Sequence, residues 1–230
     1  MAPKEVRLTM LSFRRLEPGD RAPDFTLPAI NREGTVSLGD FGGKRPVLLG
    51  LFRGLHCPFC RRQLVRLTAM QEKLDRAGVE TLAVVNTTLD RARLYFKYHP
   101  TRVLLAADPA AGTHRLFCLP AFELGEVSGW PQRATREEFG AVRINPTGEL
   151  AAALQPMEAN DELNRREGFQ LTEVDQQILA AHGTQLAGHF LIDREGIIRW
   201  THVEAWERIG DLTTFPSEEE ILAAARVLPR

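Results

Sequence analysis

The chain has 230 residues, 43% hydrophobic and 26% charged, with 29 Lys and Arg against 30 Asp and Glu for a net charge of −1. That is ample apolar material for one packed domain and excludes intrinsic disorder, while the balanced charge excludes generic attraction to nucleic acid or anionic membrane. Three cysteines are too few for an extracellular disulfide framework, and a close pair in a reducing compartment is expected to be catalytic or metal-binding, so the chain reads as cytoplasmic.

The N-terminal "MAPKEVRLTMLSFRRLEPGD" lacks the apolar run and small-residue cleavage site of a secretory signal. No stretch is long enough to span a bilayer. Residues 18 to 46, rich in Pro, Gly and Asp around two short apolar segments, predict a hairpin-like lead-in. "PVLLGLF" (46–52) predicts a buried strand, and the spacing of Phe59, Leu64, Leu67, Met70 and Leu74 predicts a helix over 58–77 that Gly78 stops. A strand over 79–86, a helix over 88–99 ended before Pro100 and a third strand over 102–108 follow. Near the other end, 188–204 predicts a hairpin turning at Arg194 to Gly196. A last helix spans 216–228, with Ser217 as N-cap and Glu218, Glu219 and Glu220 suiting the dipole in its first turn.

This alternation describes an α/β sandwich with a mixed sheet. The stretch 119–186 breaks the rhythm. It holds "INPTGELAAALQP", a turn with flanking strands, and a helix over 172–183. The whole chain reads as a single domain, 1–230, with 119–186 an insertion packed on its core.

"LHCPFCRRQL" carries the chemistry. At a helix start, unpaired N–H groups and the positive dipole end favour thiolate over thiol at Cys57 and Cys60, and Arg61 and Arg62 add cationic character. A thiolate attacks a disulfide or a peroxide oxygen, and two cysteines at this spacing can also close a disulfide with each other. Two inert buried cysteines are one alternative. Zinc is another, but it needs about two more ligands at a fixed spacing. Cys118 with His56, His99 or His114 would have to supply them, and there is no second CxxC or HxxxH. Redox chemistry is the favoured reading.

"GDRAPDFTLP", "VSLGDFGGKRPVLLGLFRG", "CPFCRRQL", "GVETLAVV", "LAADP" and "GHFLIDREGIIRW" together resemble the peroxiredoxin family, of the alkyl hydroperoxide reductase and thiol-specific antioxidant type, in its CPxC branch. The resemblance covers roughly 18–120 and 186–204 in family order. It implies a thioredoxin-like three-layer α/β/α sandwich and a thiol-dependent oxidoreductase that reduces hydroperoxides. Aligned on "RGLHCPFC", the family pattern Pro-x-x-x-Thr-x-x-Cys puts its Cys on Cys60, its Thr on Cys57 and its Pro on Arg53. The family's distal Arg falls on Ala187. The resemblance thus implies Cys60 as the attacking thiol and Cys57 as its resolving partner, with Arg53 or Arg61 as candidates for the lost cation. It implies no cofactor, a dithiol reductant such as thioredoxin or glutathione with glutaredoxin, and a homodimer as one option.

"CPFC" is also similar to the glutaredoxin dithiol, in which the first cysteine, Cys57 here, attacks a disulfide. The cis-Pro of thioredoxins and glutaredoxins has no counterpart, since no proline lies between Pro156 and Pro216. A disulfide reductase and a non-enzymatic redox sensor therefore stand beside the peroxidase. Among supporting residues, His56 either tunes the dithiol or is a plain turn residue. His182 and His189 flank "GTQLAG", which approaches the dithiol in such a fold. Cys118 is a distant resolving thiol or a small buried residue. Trp200, His202 and Trp206 read as packing.

Overall fold

In the computed structural model, which describes residues 14–229, the chain begins with β1 (Thr26–Pro28), β2 (Thr35–Ser37), β3 (Val47–Phe52) and α1 (Pro58–Arg76). β4 (Glu80–Val85), α2 (Leu89–Tyr98), β5 (Leu104–Ala107) and α3 (Gly112–Leu116) follow. Then come β6 (Glu123–Gly125), β7 (Arg133–Thr135), α4 (Arg136–Ala141), α5 (Pro156–Arg166) and α6 (Glu173–His182). The chain closes with β8 (Gly188–Ile192), β9 (Ile198–Val203) and α7 (Glu218–Arg226). The absence of a secretory signal was read partly on residues 1–13, which lie outside the described residues. No helix among the described residues is long and apolar enough to cross a membrane.

The central sheet has the order β5-β4-β3-β8-β9. β3 pairs parallel with β4 and antiparallel with β8, so the sheet is mixed. Every residue of β3 is buried, which is why its sequence is a continuous apolar run and not an alternating one. Its side chains divide between the faces. Leu48 and Phe52 join a core with Leu64, Leu67, Met70 and Leu74 of α1, Phe96 of α2 and Ile221 of α7. Val47, Leu49 and Leu51 join a second core with Phe25, Val36, Leu38 and Phe117. The result is the expected three-layer sandwich. The antiparallel β1–β2 pair is the N-terminal hairpin, in register Thr26 with Ser37. Gly50 leaves room within β3, because a Cβ there would lie 2.6 Å from the ring of Phe52.

Between α3 and β8 the helix expected over 172–183 is present as α6, but the turn region before it departs from expectation. "INPTGELAAALQP" does not form flanking strands; Ile144 and Leu154 exchange one pair of backbone hydrogen bonds, at 2.8 and 3.2 Å. Asn145 takes over inside the loop, its side chain holding both the N–H and the carbonyl of Leu150. α5 then starts at Pro156, which suits a first helical position because its missing N–H is not needed there. Ala159 and Leu163 of α5 join the same core as α1, as do Phe122, Ala134, Val142, Ile144 and Leu150.

Leu67, fully buried between α1 and the sheet, reports on this packing. Leu67→Ala is expected to cost about 2–5 kcal/mol, seen as a lower urea midpoint with an unchanged slope. A loss below about 1 kcal/mol would mean that α1 is not seated on this face.

Candidate active site

β3 ends at Phe52, and residues 53–57 carry the chain over the sheet edge into α1. Gly54 is needed in that turn, since a Cβ would lie 2.7 Å from the Asn86 carbonyl oxygen and 2.8 Å from Nδ1 of His56. Cys57 is the N-cap of α1, and its Sγ accepts the Cys60 N–H at 3.2 Å. An oxygen normally fills this role. Here a sulfur sits at the positive end of a helix of 19 residues, where negative charge is favoured.

Arg53 adds a full cation. It is 6% exposed; its Nη2 donates to Oε1 of Glu204 at 2.8 Å and its Nη1 to the Gln185 carbonyl at 3.4 Å. It also lies beside Cys57 at the same well, where its charge acts on the sulfur. Glu204 is completely buried and accepts the N–H of Ala187 at 2.9 Å and that of Thr213. The backbone of Ala187 thus helps to hold the carboxylate that holds Arg53.

These contacts separate the two thiols. Burial alone pushes the Cys57 thiol up, but the hydrogen bond from the Cys60 thiol and the charge of Arg53 outweigh it and, against Glu204, bring Cys57 down to about 6. Burial, the hydrogen bond that Cys60 gives to Cys57 and the charge of Cys57 all push the Cys60 thiol well above its ordinary range. The arrangement therefore favours the thiolate on Cys57 and the thiol on Cys60.

His56 is buried, and both its ring nitrogens lack a partner among the described residues. Burial, then Arg53, lower it to about 4, so it is a neutral ring beside the dithiol. Arg61 does not face the thiols. Its guanidinium donates to the Leu55 carbonyl, to Asn164 at 2.7 Å and to Glu167 at 2.5 Å, and it lies 3.9 Å over the ring of Phe169. Asn164 in turn donates to the His56 carbonyl at 3.2 Å. Arg62 is likewise paired, with Glu149 and Glu167. The cationic character expected of these two residues is therefore spent on the 119–186 segment, and Arg61 serves to pin the 55–56 loop.

His189 lies opposite Gly50 in the sheet, between the rings of Phe52 and Phe215 at 5.2 and 5.8 Å. Burial, then His202, lower it to about 3. The pairing puts it on the same face of the sheet as Phe52, within an aromatic layer. His182 donates to the Pro109 carbonyl, and Cys118 sits past α3 with a backbone φ of +53°. Neither is brought to the dithiol. No cluster of three or more His, Cys, Asp or Glu side chains able to hold a metal occurs among the described residues.

Cys57 opens onto a well of about 310 Å³, with Arg53 and His56 beside it on the floor. Phe122, Leu124, Phe139, Met157, Leu179 and Leu212 wall it, and Cys60 does not reach it. The 119–186 segment supplies most of these walls. Glu204, Gln185, Asn164 and the wall residues escaped the sequence reading. Arg53 and Glu204 stand 151 positions apart, and no local pattern links them.

A sequence profile described as the AhpC/TSA family matches residues 18–201. Among solved structures, a reduced 2-Cys peroxiredoxin of Plasmodium vivax is similar at 17% identity and a TM-score of 0.56, over 91% of this chain and 80% of that one. The peroxidoxin BcpB of Mycobacterium tuberculosis is similar at 12% identity and a TM-score of 0.55, over 94% and 100%. Thioredoxin peroxidase I of Plasmodium yoelii is similar at 17% and 0.53, over 91% and 89%. No curated protein matches the sequence.

The charges on the floor make a direct prediction. In a Cys118→Ser background, the thiolate absorbance of the reduced protein near 240 nm rises with a midpoint at about 6. Arg53→Met removes the cation that favours the thiolate, so the midpoint moves up by about one unit or more. An unmoved midpoint would show that Arg53 does not act on Cys57.

Proposed function

This chain belongs to the AhpC/TSA family and is a thiol-dependent oxidoreductase of thioredoxin-like fold, and we propose that it reduces hydroperoxides with Cys57 as the attacking thiolate and Cys60 as the resolving thiol. The order is the reverse of the one implied by aligning the family cysteine on Cys60. The observation that carries it is the position of Cys57: it caps α1 and opens onto the well beside Arg53, whereas Cys60 does not reach the well.

In this reading the Cys57 sulfur attacks the terminal peroxide oxygen. An S–O bond forms, the O–O bond breaks, and the alkoxide leaves as an alcohol after taking a proton from water. Arg53 and the N–H groups of the first turn of α1 stabilise the negative charge as it moves from sulfur to oxygen. The Cys60 thiol then condenses with the sulfenic acid on Cys57, releasing water and closing a disulfide. A cellular dithiol returns both residues to thiols by exchange. The mostly apolar walls favour a hydroperoxide with an apolar body over one that is all polar. The 119–186 insertion has a task here, which is to build those walls. The shortage of cysteines suits an enzyme of the cytoplasm.

The same thiolate would also open a disulfide, so thiol–disulfide exchange with Cys57 attacking first is the second reading. Peroxide kinetics separate the two. Fully reduced wild type, treated with hydroperoxide and followed by intact mass, is expected to react far faster than free cysteine and to lose two hydrogens. Cys60→Ser is expected to stop at a sulfenic acid, while Cys57→Ser reacts no faster than free cysteine. Because only the thiolate attacks, the rate falls about tenfold between pH 7 and pH 5, the thiolate being protonated as pH drops through about 6. Slow oxidation of wild type would leave disulfide exchange as the activity.

A further inference from the structure

Three ionisable groups form a row of interactions at the well: the Cys57 sulfur, the Arg53 guanidinium beside it, and the Glu204 carboxylate 2.8 Å from Arg53. All three are buried, with exposures of 2%, 6% and 0%. His56 beside them is neutral and adds no charge. The two redox states load this row differently. On oxidation the Cys57 thiolate and the Cys60 thiol give up two electrons and one proton as the S–S bond forms. The electrons enter the O–O bond of the hydroperoxide. In the reduced state two anions, Cys57 and Glu204, share one cation. In the oxidised state the thiolate is gone, and Arg53 and Glu204 form a neutral pair.

We infer that Glu204 is a positioning residue that sets the redox poise of the dithiol: by matching Arg53 when the thiolate disappears, it favours the disulfide over the dithiol. Without Glu204, closing the disulfide would strand a buried guanidinium with no anion, a state that desolvation disfavours. With it, the cost falls instead on the reduced state, where the carboxylate opposes the thiolate. Glu204 touches no substrate in this account. It acts through Arg53, and its backbone partners, Ala187 and Thr213, fix the carboxylate in place. A reduced state made less favourable is a stronger electron donor, which suits a dithiol whose task is to reduce a hydroperoxide. The inference rests on the assignment of Cys57 as the thiolate.

The test is the dithiol–disulfide equilibrium at pH 7 against a series of dithiothreitol redox buffers, read by intact mass, in wild type, Glu204→Gln, Arg53→Met and the double variant. Glu204→Gln is expected to shift the equilibrium toward the dithiol at least tenfold, which is about 30 mV for a two-electron couple. In the Arg53→Met background the same substitution is expected to shift it less than twofold, because the coupling runs through Arg53. A merely structural role for Glu204 would lower the melting temperature and leave the equilibrium in place. Should Glu204→Gln fail to fold, Glu204→Asp carries the test. It keeps the charge but shortens the reach to Arg53, and a shift of threefold or more toward the dithiol is expected. An equilibrium unmoved by the variant that folds, or a shift just as large without Arg53, overturns the inference. Thiolate titration of the same reduced samples separates the failures. A Cys57 thiolate with an unmoved equilibrium overturns this inference alone, and a protonated Cys57 at pH 7 overturns the assignment of Cys57 as well.

Discussion

The guanidinium of Arg53 is almost without water, and a charge so placed must be matched by anions in contact with it. Glu204 supplies one through a direct ion pair, and the proposed Cys57 thiolate supplies the other. The rest of the site follows from that balance. The carboxylate is held by backbone N–H groups of Ala187, just before β8, and of Thr213, in the loop before α7. The thiolate is held by the first turn of α1. Three separate parts of the chain therefore meet on one charge.

A second cation, Arg61, does a different job with similar chemistry. From the first turn of α1 it reaches across to Asn164 and Glu167 at the end of α5, while Asn164 holds the His56 carbonyl. The loop that carries Cys57 is tied in this way to the insertion that walls the well. A single polar network thus aligns the thiolate and the walls that select what reaches it. Residues of the 119–186 segment pack into the same core as α1, which joins the walls to the helix that carries Cys57.

The legible part of the chain was the part whose apolar residues are covered on both faces. β3, β4 and β5 read directly as apolar strands, β8 and β9 as a hairpin turning at Arg194 to Gly196, and α1, α2 and α7 were marked by their apolar residues together with Gly78, Pro100 and Ser217. The insertion was harder to read because packing, not propensity, decides it. α5 turns little more than Ala159 and Leu163 to the core, β6 and β7 are three residues each, and the Ile144–Leu154 loop makes a single bridge where strands were expected. The cysteine pair and Arg53 were visible as a motif and a lone cation beside it. Glu204 was not, since ion pairing across the fold leaves no trace in local spacing. Alignment on the family pattern gave the position of the thiols, but which of them reacts depends on burial and on Arg53. The alignment accordingly puts Cys60 first, whereas the surroundings of Cys57 support the opposite order proposed above, and Arg61, adjacent to Cys60, reads in sequence as no less suitable than Arg53.

The central claim is that Cys57 is the reactive thiolate of this protein. Alkylation of the reduced protein at pH 6.5 with substoichiometric iodoacetamide, followed by peptide mass mapping, tests it most directly, because only a thiolate reacts quickly under those conditions. The account predicts that the label falls on Cys57, with Cys60 and Cys118 unmodified at short times. Label appearing first on Cys60 would contradict it, and would return the attack to the position that the family pattern implies.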